Sequence, residues 1–424
     1  MSLLIRNARL LDPASGLDAQ RNVLIHNGRI AGIADTATHF SAEQAIDASG
    51  LWLFPGVIDL ASWLREPGLD HKATLKSETQ AAAASGITTL CYQPEPGAGF
   101  DTAAQVRLVD DLNAKHQKAK IEVLGNLTQG LQGEQLSNMG SLKRAGCIGV
   151  TNGWQPFKSL QTLRRAMEYA ATHELTVFIY PMEHALAASG FMHEGEVSAR
   201  LGMPAIPSAA ETVAVAQTLA LASHTGARVH ICRLSARLSV RLIRQAKESG
   251  VDVTADVAAH QLFLTEVDVA DFNPLCHVMP PLRSTRDQAA LREGLTDGTI
   301  DAICSDHQPH ELDAKLAPFQ QTAPGISALE TLLPLSLRLV DEGVLSLNQA
   351  LQKVTAAPAT IIHSDAGKIT VGAPADLVLF NPDSLWELDV NKMHSDGRNT
   401  PFAGWSFNGA VERTLLAGQT VYTR

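Results

Sequence analysis

From residue 54 onward the chain repeats one rhythm: a short apolar run, a polar turn, then a stretch whose apolar residues recur every three to four positions. Uninterrupted apolar runs are the signature of strands buried on both faces, and 3.6-residue spacing marks the helices that cover them. The runs fall at residues 57–60 (VIDL), 87–93 (ITTLCYQ), 121–128 (IEVLGNLT), 147–152 (CIGVTN), 176–182 (TVFIYPM), 228–235 (RVHICRLS), 251–260 (VDVTADVAAH) and 301–307 (DAICSDH). Helical spacing separates most pairs, as at 160–173 and 209–224, and the alanine-rich stretch 74–85 predicts a helix ended by Gly86. These eight β-then-α units predict a (β/α)8 barrel over residues 54–364.

The flanks read differently. Residues 1–53 hold short β-like pieces around a hairpin turn at Asn27-Gly28, and the pattern returns to β at 367–380 and 412–423. The simplest arrangement joins 1–53 and 365–424 in one small discontinuous β-domain.

Composition excludes several classes. The chain has 424 residues, 45% of them hydrophobic, which is enough for a large core. A net charge of −10 with no basic block argues against nucleic acid and anionic lipid. No apolar run reaches the roughly 20 residues of a membrane span, and Arg6 and Arg9 interrupt the N-terminus too early for a secretory signal, so a cytoplasmic location is expected. The five cysteines are widely spaced, without CxxC, and read as small buried residues.

Catalytic side chains of this fold stand where the barrel strands end. Those ends carry Ala61, Trp63 and Arg65; Gln93 and Glu95; Thr151 and Asn152; Pro181 and Glu183; Arg233; His260; and Asp306, His307 and His310. They make no obvious metal centre.

Longer motifs carry a family resemblance: FPGVIDL…LREPG, GITTL, MHEGEVSARLGMPAIPSAAE, PPLRS, DGTIDAICSDHQPH, GISALET, GAPADLVLF and GRNTPFAGW. The chain resembles the dihydroorotases of the amidohydrolase superfamily nearly from end to end. Active members carry an HxH pair after strand one, an acidic residue or carboxylated lysine after strand four, a histidine after each of strands five and six, and an aspartate after strand eight. The resemblance places these positions at Ala61, Trp63, about Asn152, Pro181, Arg233 and Asp306, so only Asp306 keeps its ligand. Alanine and proline have no side-chain donor, the indole N–H only donates, and a guanidinium stays positive at any relevant pH. The resemblance therefore implies neither bound zinc nor hydrolysis. It also assigns Arg65 and His310 to the substrate's carboxylate side, while two family asparagines are replaced by Glu95 and Met279.

Several of these residues have plainer readings. His260, His307 and His310 are expected to be hydrogen-bonded histidines left in a barrel mouth, and Arg233 is expected to pair with Asp306 while Trp63 fills volume. His193-Glu194 has no HExxH context, and the resemblance puts it in a loop. The segment 397–405 reads as a turn-rich connection in which Pro401 and Gly404 pack on the barrel.

Among proteins resembling this one are dihydroorotase-like chains that serve as the non-catalytic subunit of bacterial aspartate transcarbamoylase. The expectation is thus an inactive scaffold whose partner is the transcarbamoylase catalytic chain, with homo-oligomer contacts as well. The alternatives are a zinc-dependent cyclic amidohydrolase with an atypical site, one metal held by His260, His307 or His310 with Asp306, and a ligand-sensing module built on Arg65 and His310.

Overall fold

A computed structural model describes residues 2–36 and 41–424. Its first sheet opens with β1 (Ser2–Asp12), β2 (Leu17–His26), β3 (Arg29–Ala34), β4 (Gln44–Asp47) and β5 (Trp52–Pro55). The barrel strands are β6 (Val57–Ser62), β7 (Ile87–Tyr92), β8 (Lys120–Asn126), β9 (Gly149–Thr151) and β10 (Thr176–Ile179). After a two-residue ribbon, β11 (Met192–His193) beside β12 (Ala205–Ile206), they continue as β13 (Val229–Ile231), β14 (Val253–Ala258) and β15 (Ala302–Cys304). The chain ends in β16 (Leu377–Glu387), β17 (Ser406–Leu416) and β18 (Gln419–Thr423).

The eight barrel strands are parallel neighbours in chain order from β6 to β15. A bridge between Ser62 and His307, with Trp63 N–H donating to His307 O at 2.9 Å, brings the last strand's extension back to the first. The expected (β/α)8 barrel is therefore present. Residues 74–85 form a helix over Leu75–Ala84, capped by the Thr74 hydroxyl, and Gly86 follows at φ +77°.

N- and C-terminal strands share one mixed sheet, in the order β18-β17-β16-β5-β1-β2-β3 with β4 on β1. Asn27 and Gly28, both at positive φ, turn β2 into β3. Phe54, the first residue of the expected barrel segment, lies in β5 opposite Val378, and the barrel strand starts after Gly56, where the run at 57–60 begins. A second correction concerns residues 367–376, expected to be strand. They form a loop that contains Pro374 and gives its N–H groups to other elements: Ile369 to Asp12, Gly372 to Ile30 O and Ala375 to Gly28 O. The sheet is tied to the strands' N-terminal ends, where Gly56 N–H reaches Asp376 O at 2.8 Å and Lys120 Nζ, at the start of β8, reaches the Asp376 carboxylate at 2.7 Å. The opposite end of the barrel, where the strands finish, is left to loops.

Candidate functional site

Five strand ends converge on one buried ion pair. Arg233, two residues beyond β13, and Asp306, two beyond β15, are each about 1% exposed, and Arg233 Nη1 donates to Asp306 Oδ1 at 3.2 Å. The expected pairing of the two is what the structure holds. Trp63 is buried beside them, and its ring stands 4.8 Å from the guanidinium carbon, as does the ring of Tyr180. Trp154 completes the enclosure, edge-on to Trp63 at 5.6 Å and stacked on Tyr180 at 5.9 Å. Each desolvated cation–π contact is worth about 2 kcal/mol, so the guanidinium is held by two faces and one carboxylate.

The backbone there is strained. Arg65, Arg233 and Asp306 all adopt left-handed φ, of 65°, 55° and 51°. A non-glycine residue in that region costs of the order of 1–3 kcal/mol and tends to mark a functional position. Asp256, in β14, supports one of them by accepting Arg233 N–H at 2.5 Å. Burial pushes the Asp306 carboxyl up to about 7, against the lowering influence of Arg233.

The remaining family metal positions contain no ligand. Ala61 is buried in the barrel's apolar interior with Cys91, Leu124 and Phe178. Asn152 is fully used, its Oδ1 accepting from the Thr128 hydroxyl at 2.5 Å and its Nδ2 donating to Gln155 O at 2.9 Å. Pro181 is buried and offers nothing. Zinc takes at least three protein ligands; Asp306 is one, and the cage already holds a cation. The residues present do not fit the family's metal.

A different, partial donor set lies nearby. Ligand atoms of His230, Cys232 and Asp256 fall within 4.8 Å of one another, all buried. Cys232 is buried as expected, yet it stands in this cluster, which its sequence context did not suggest. The donors are engaged: His230 Nε2 meets Asp256 Oδ2 at 3.0 Å, His230 Nδ1 meets the Thr254 hydroxyl at 2.8 Å, and the other Asp256 oxygen serves Arg233. Burial and Asp256 push the Cys232 thiol pKa up, away from the thiolate a metal needs. Binding there would first break these bonds.

Arg65 and His310, which the resemblance assigns to a substrate carboxylate, are also engaged within the protein. Arg65 Nη1 pairs with the Glu95 carboxylate, both largely buried, and Arg65 Nε donates to Pro309 O at 3.1 Å. Lys72 Nζ lies 3.2 Å from His310 Nδ1, and His310 Nε2 lies 3.0 Å from Pro324 O. That pattern suits a neutral ring, and burial, with Arg65 and Lys72, pushes the His310 pKa down.

The three histidines divide. His307 meets Glu78 at 2.7 Å and accepts Ala328 N–H at 2.9 Å, so it is a structural residue as expected, like His310. His260 is not: both ring nitrogens are buried without a hydrogen-bond partner among the described residues, so its place is filled by shape and not by bonding. His193 lies in β11, not in a plain loop, against Arg283 at 3.2 Å. The 397–405 segment is a connection packed on the barrel, but its anchors are Asn399, bonded to Gln308 O, Gly325 O and His310 N–H, and the buried Phe402, not Pro401 and Gly404.

Burial alone drives the His260 pKa from 6.5 down to about 3. Between those values the unfolded chain takes a proton that the folded chain refuses. The contribution is therefore complete above pH 6.5 and is lost as pH falls towards 3, with a slope of about 1.4 kcal/mol per pH unit. Lowering the pH from 7 to 5 should remove about 2 kcal/mol through this residue. Urea midpoints of the parent and of His260→Leu, taken across that range, should diverge by this slope; parallel curves would show that His260 protonates freely in the fold.

Comparison with known proteins adds to this geometry. Residues 30–421 match the model of the amidohydrolase family. The chain is 43% identical to a dihydroorotase-like protein of Pseudomonas putida over 422 residues, covering 100% of this chain and 99% of the relative. It is likewise 43% identical to a dihydroorotase-like protein of Pseudomonas aeruginosa, with full coverage of both. A dihydroorotase of Syntrophotalea carbinolica is 40% identical, over 100% of this chain and 99% of the relative. Among solved structures, the L-hydantoinase (dihydropyrimidinase) of Arthrobacter aurescens superposes with a TM-score of 0.90 at 24% identity, over 99% of this chain and 96% of that one, a likeness of fold.

Proposed function

Because the chain belongs to the amidohydrolase family, in its dihydroorotase-like group, we propose that it keeps the barrel without the hydrolysis and serves as a non-catalytic subunit of an aspartate transcarbamoylase assembly. One observation carries the proposed loss of chemistry: the Arg233 guanidinium, at a position that the resemblance gives to a metal ligand, is held between Trp63 and Tyr180 and paired with Asp306. Metal lowers the pKa of the attacking water and polarises the amide carbonyl; an arginine held this way can do neither. A barrel that stays packed while its ligand positions lose their ligands is what selection on shape and surface leaves behind. The partner itself rests on the family resemblance alone.

The competing reading is an active zinc enzyme, and the His230, Cys232 and Asp256 cluster is the observation in its favour. One experiment separates the two. The chain, purified with zinc present, should hold no stoichiometric metal and turn over no dihydroorotate. Co-expressed with the transcarbamoylase catalytic chain of the same cell, it should form a larger assembly whose size and transcarbamoylase activity survive chelation. Bound zinc with chelator-sensitive hydrolysis would replace this proposal with the active reading.

A further inference from the structure

The barrel mouth presents an apolar surface that the cage and the Arg65 pocket do not use. Two loops build it: the segment after β14, with Val267 62% and Phe272 46% exposed, and the segment after β15, with Leu312 70% and Leu316 79% exposed. Lys315 fastens the loops side by side. Its buried ammonium donates to Pro274 O at 3.0 Å in the first loop and to Ala323 O at 2.6 Å in the second. Large side chains exposed this far are ordinary when scattered singly; four of them on two loops that Lys315 holds together are the kind of surface an interaction site uses.

Charge narrows the occupant. The same two loops carry Glu266, Asp268, Asp271, Glu311 and Asp313, none of them in an ion pair among the described residues. Asp268, Asp271 and Asp313 are the exposed members. Lys315, the one basic side chain in those stretches, is spent on carbonyls. A second copy docking by two-fold symmetry would set this acidic rim against itself, and like charges facing each other across an interface are strongly unfavourable. We infer that the loops carrying Phe272, Leu312 and Leu316 form the docking surface for a different protein chain, one whose apolar contact is ringed by lysine and arginine. This rests on the subunit reading above and assigns it a face: the mouth that no longer admits substrate.

The test uses the full chain co-expressed with the transcarbamoylase catalytic chain and followed by analytical ultracentrifugation and association kinetics. Leu312→Ser with Leu316→Ser should weaken assembly at least tenfold while the urea midpoint stays that of the parent. Asp271→Lys with Asp313→Lys should slow association several-fold and flatten the fall in rate that salt produces in the parent. If both variants assemble as the parent does, this surface is wrong while the subunit reading stands. If the parent self-associates and the serine variant dissolves that oligomer, the occupant is a second copy and the assignment is overturned. If the parent forms no complex with the catalytic chain, the subunit reading falls and takes this one with it.

Discussion

Replacing Arg233 by alanine should destabilise the fold by about 3–5 kcal/mol, the usual consequence of removing one partner from a buried ion pair. Three losses add up there. Asp306, about 1% exposed, keeps a carboxylate with no counter-charge; the faces of Trp63 and Tyr180 lose their cation; and the volume of a large, fully buried side chain is left empty. The penalty should depend on pH in a definite direction. Burial already holds the Asp306 pKa at about 7 with Arg233 in place. Without the arginine it rises further, so a lower pH neutralises the stranded acid and the penalty shrinks. Measured by urea unfolding, the gap between Arg233→Ala and the parent should widen from pH 6 to pH 8. Arg233→Met combined with Asp306→Leu should recover most of the loss, since a buried pair exchanged for apolar groups of similar volume is often neutral. Arg233→His adds one donor to Asp306 and so still falls short of three, and metal analysis should find no zinc. An Arg233→Ala chain with the parent's midpoint at both pH values would show that the caged pair holds nothing together.

The barrel was legible because its strands are buried on both faces and therefore read as uninterrupted apolar runs, which turns and helical spacing separate. The exceptions have local causes. Residues 367–376 carry apolar Ile369, Val371 and Ala373 at alternating positions, as a strand would, but their N–H groups are taken by Asp12 and the β2-β3 hairpin before any ladder can form. Phe54 belongs to β5 because Gly56 lets the backbone pass Thr88, whose hydroxyl would sit 2.1 Å from any Cβ there. At the mouth, what Ala61, Pro181 and Arg233 cannot do follows from residue type alone, and the Arg233–Asp306 pair follows from charge. Which side chains surround the pair does not. Tyr180 and Trp154 come from different strand ends and meet only in three dimensions. The unpartnered nitrogens of His260 are equally invisible in sequence, where a buried histidine and a bonded one look the same.

Glu95→Asn is the reverse experiment, a substitution expected to open a site that the parent keeps closed. Arg65 is 6% exposed and its guanidinium pairs with the Glu95 carboxylate, with Lys72 and a neutral His310 close by. Glu95 thus supplies from within the negative charge that a carboxylate ligand would bring. An asparagine removes that charge and leaves a buried cation, which should cost about 3 kcal/mol in stability. A small anionic ligand able to reach Arg65 would then return part of it: at one hundred times its Kd, a ligand that binds only the folded state contributes about 2.7 kcal/mol. Dihydroorotate or carbamoyl aspartate should therefore raise the unfolding midpoint of Glu95→Asn and leave the parent unmoved, with no product formed in either case, because Arg233 still stands where metal would have to act. Equal stabilisation of both chains would mean that Glu95 does not block the pocket. Stabilisation of neither would mean that the mouth is closed by packing as well as by charge, and that Arg65 is held for the fold alone.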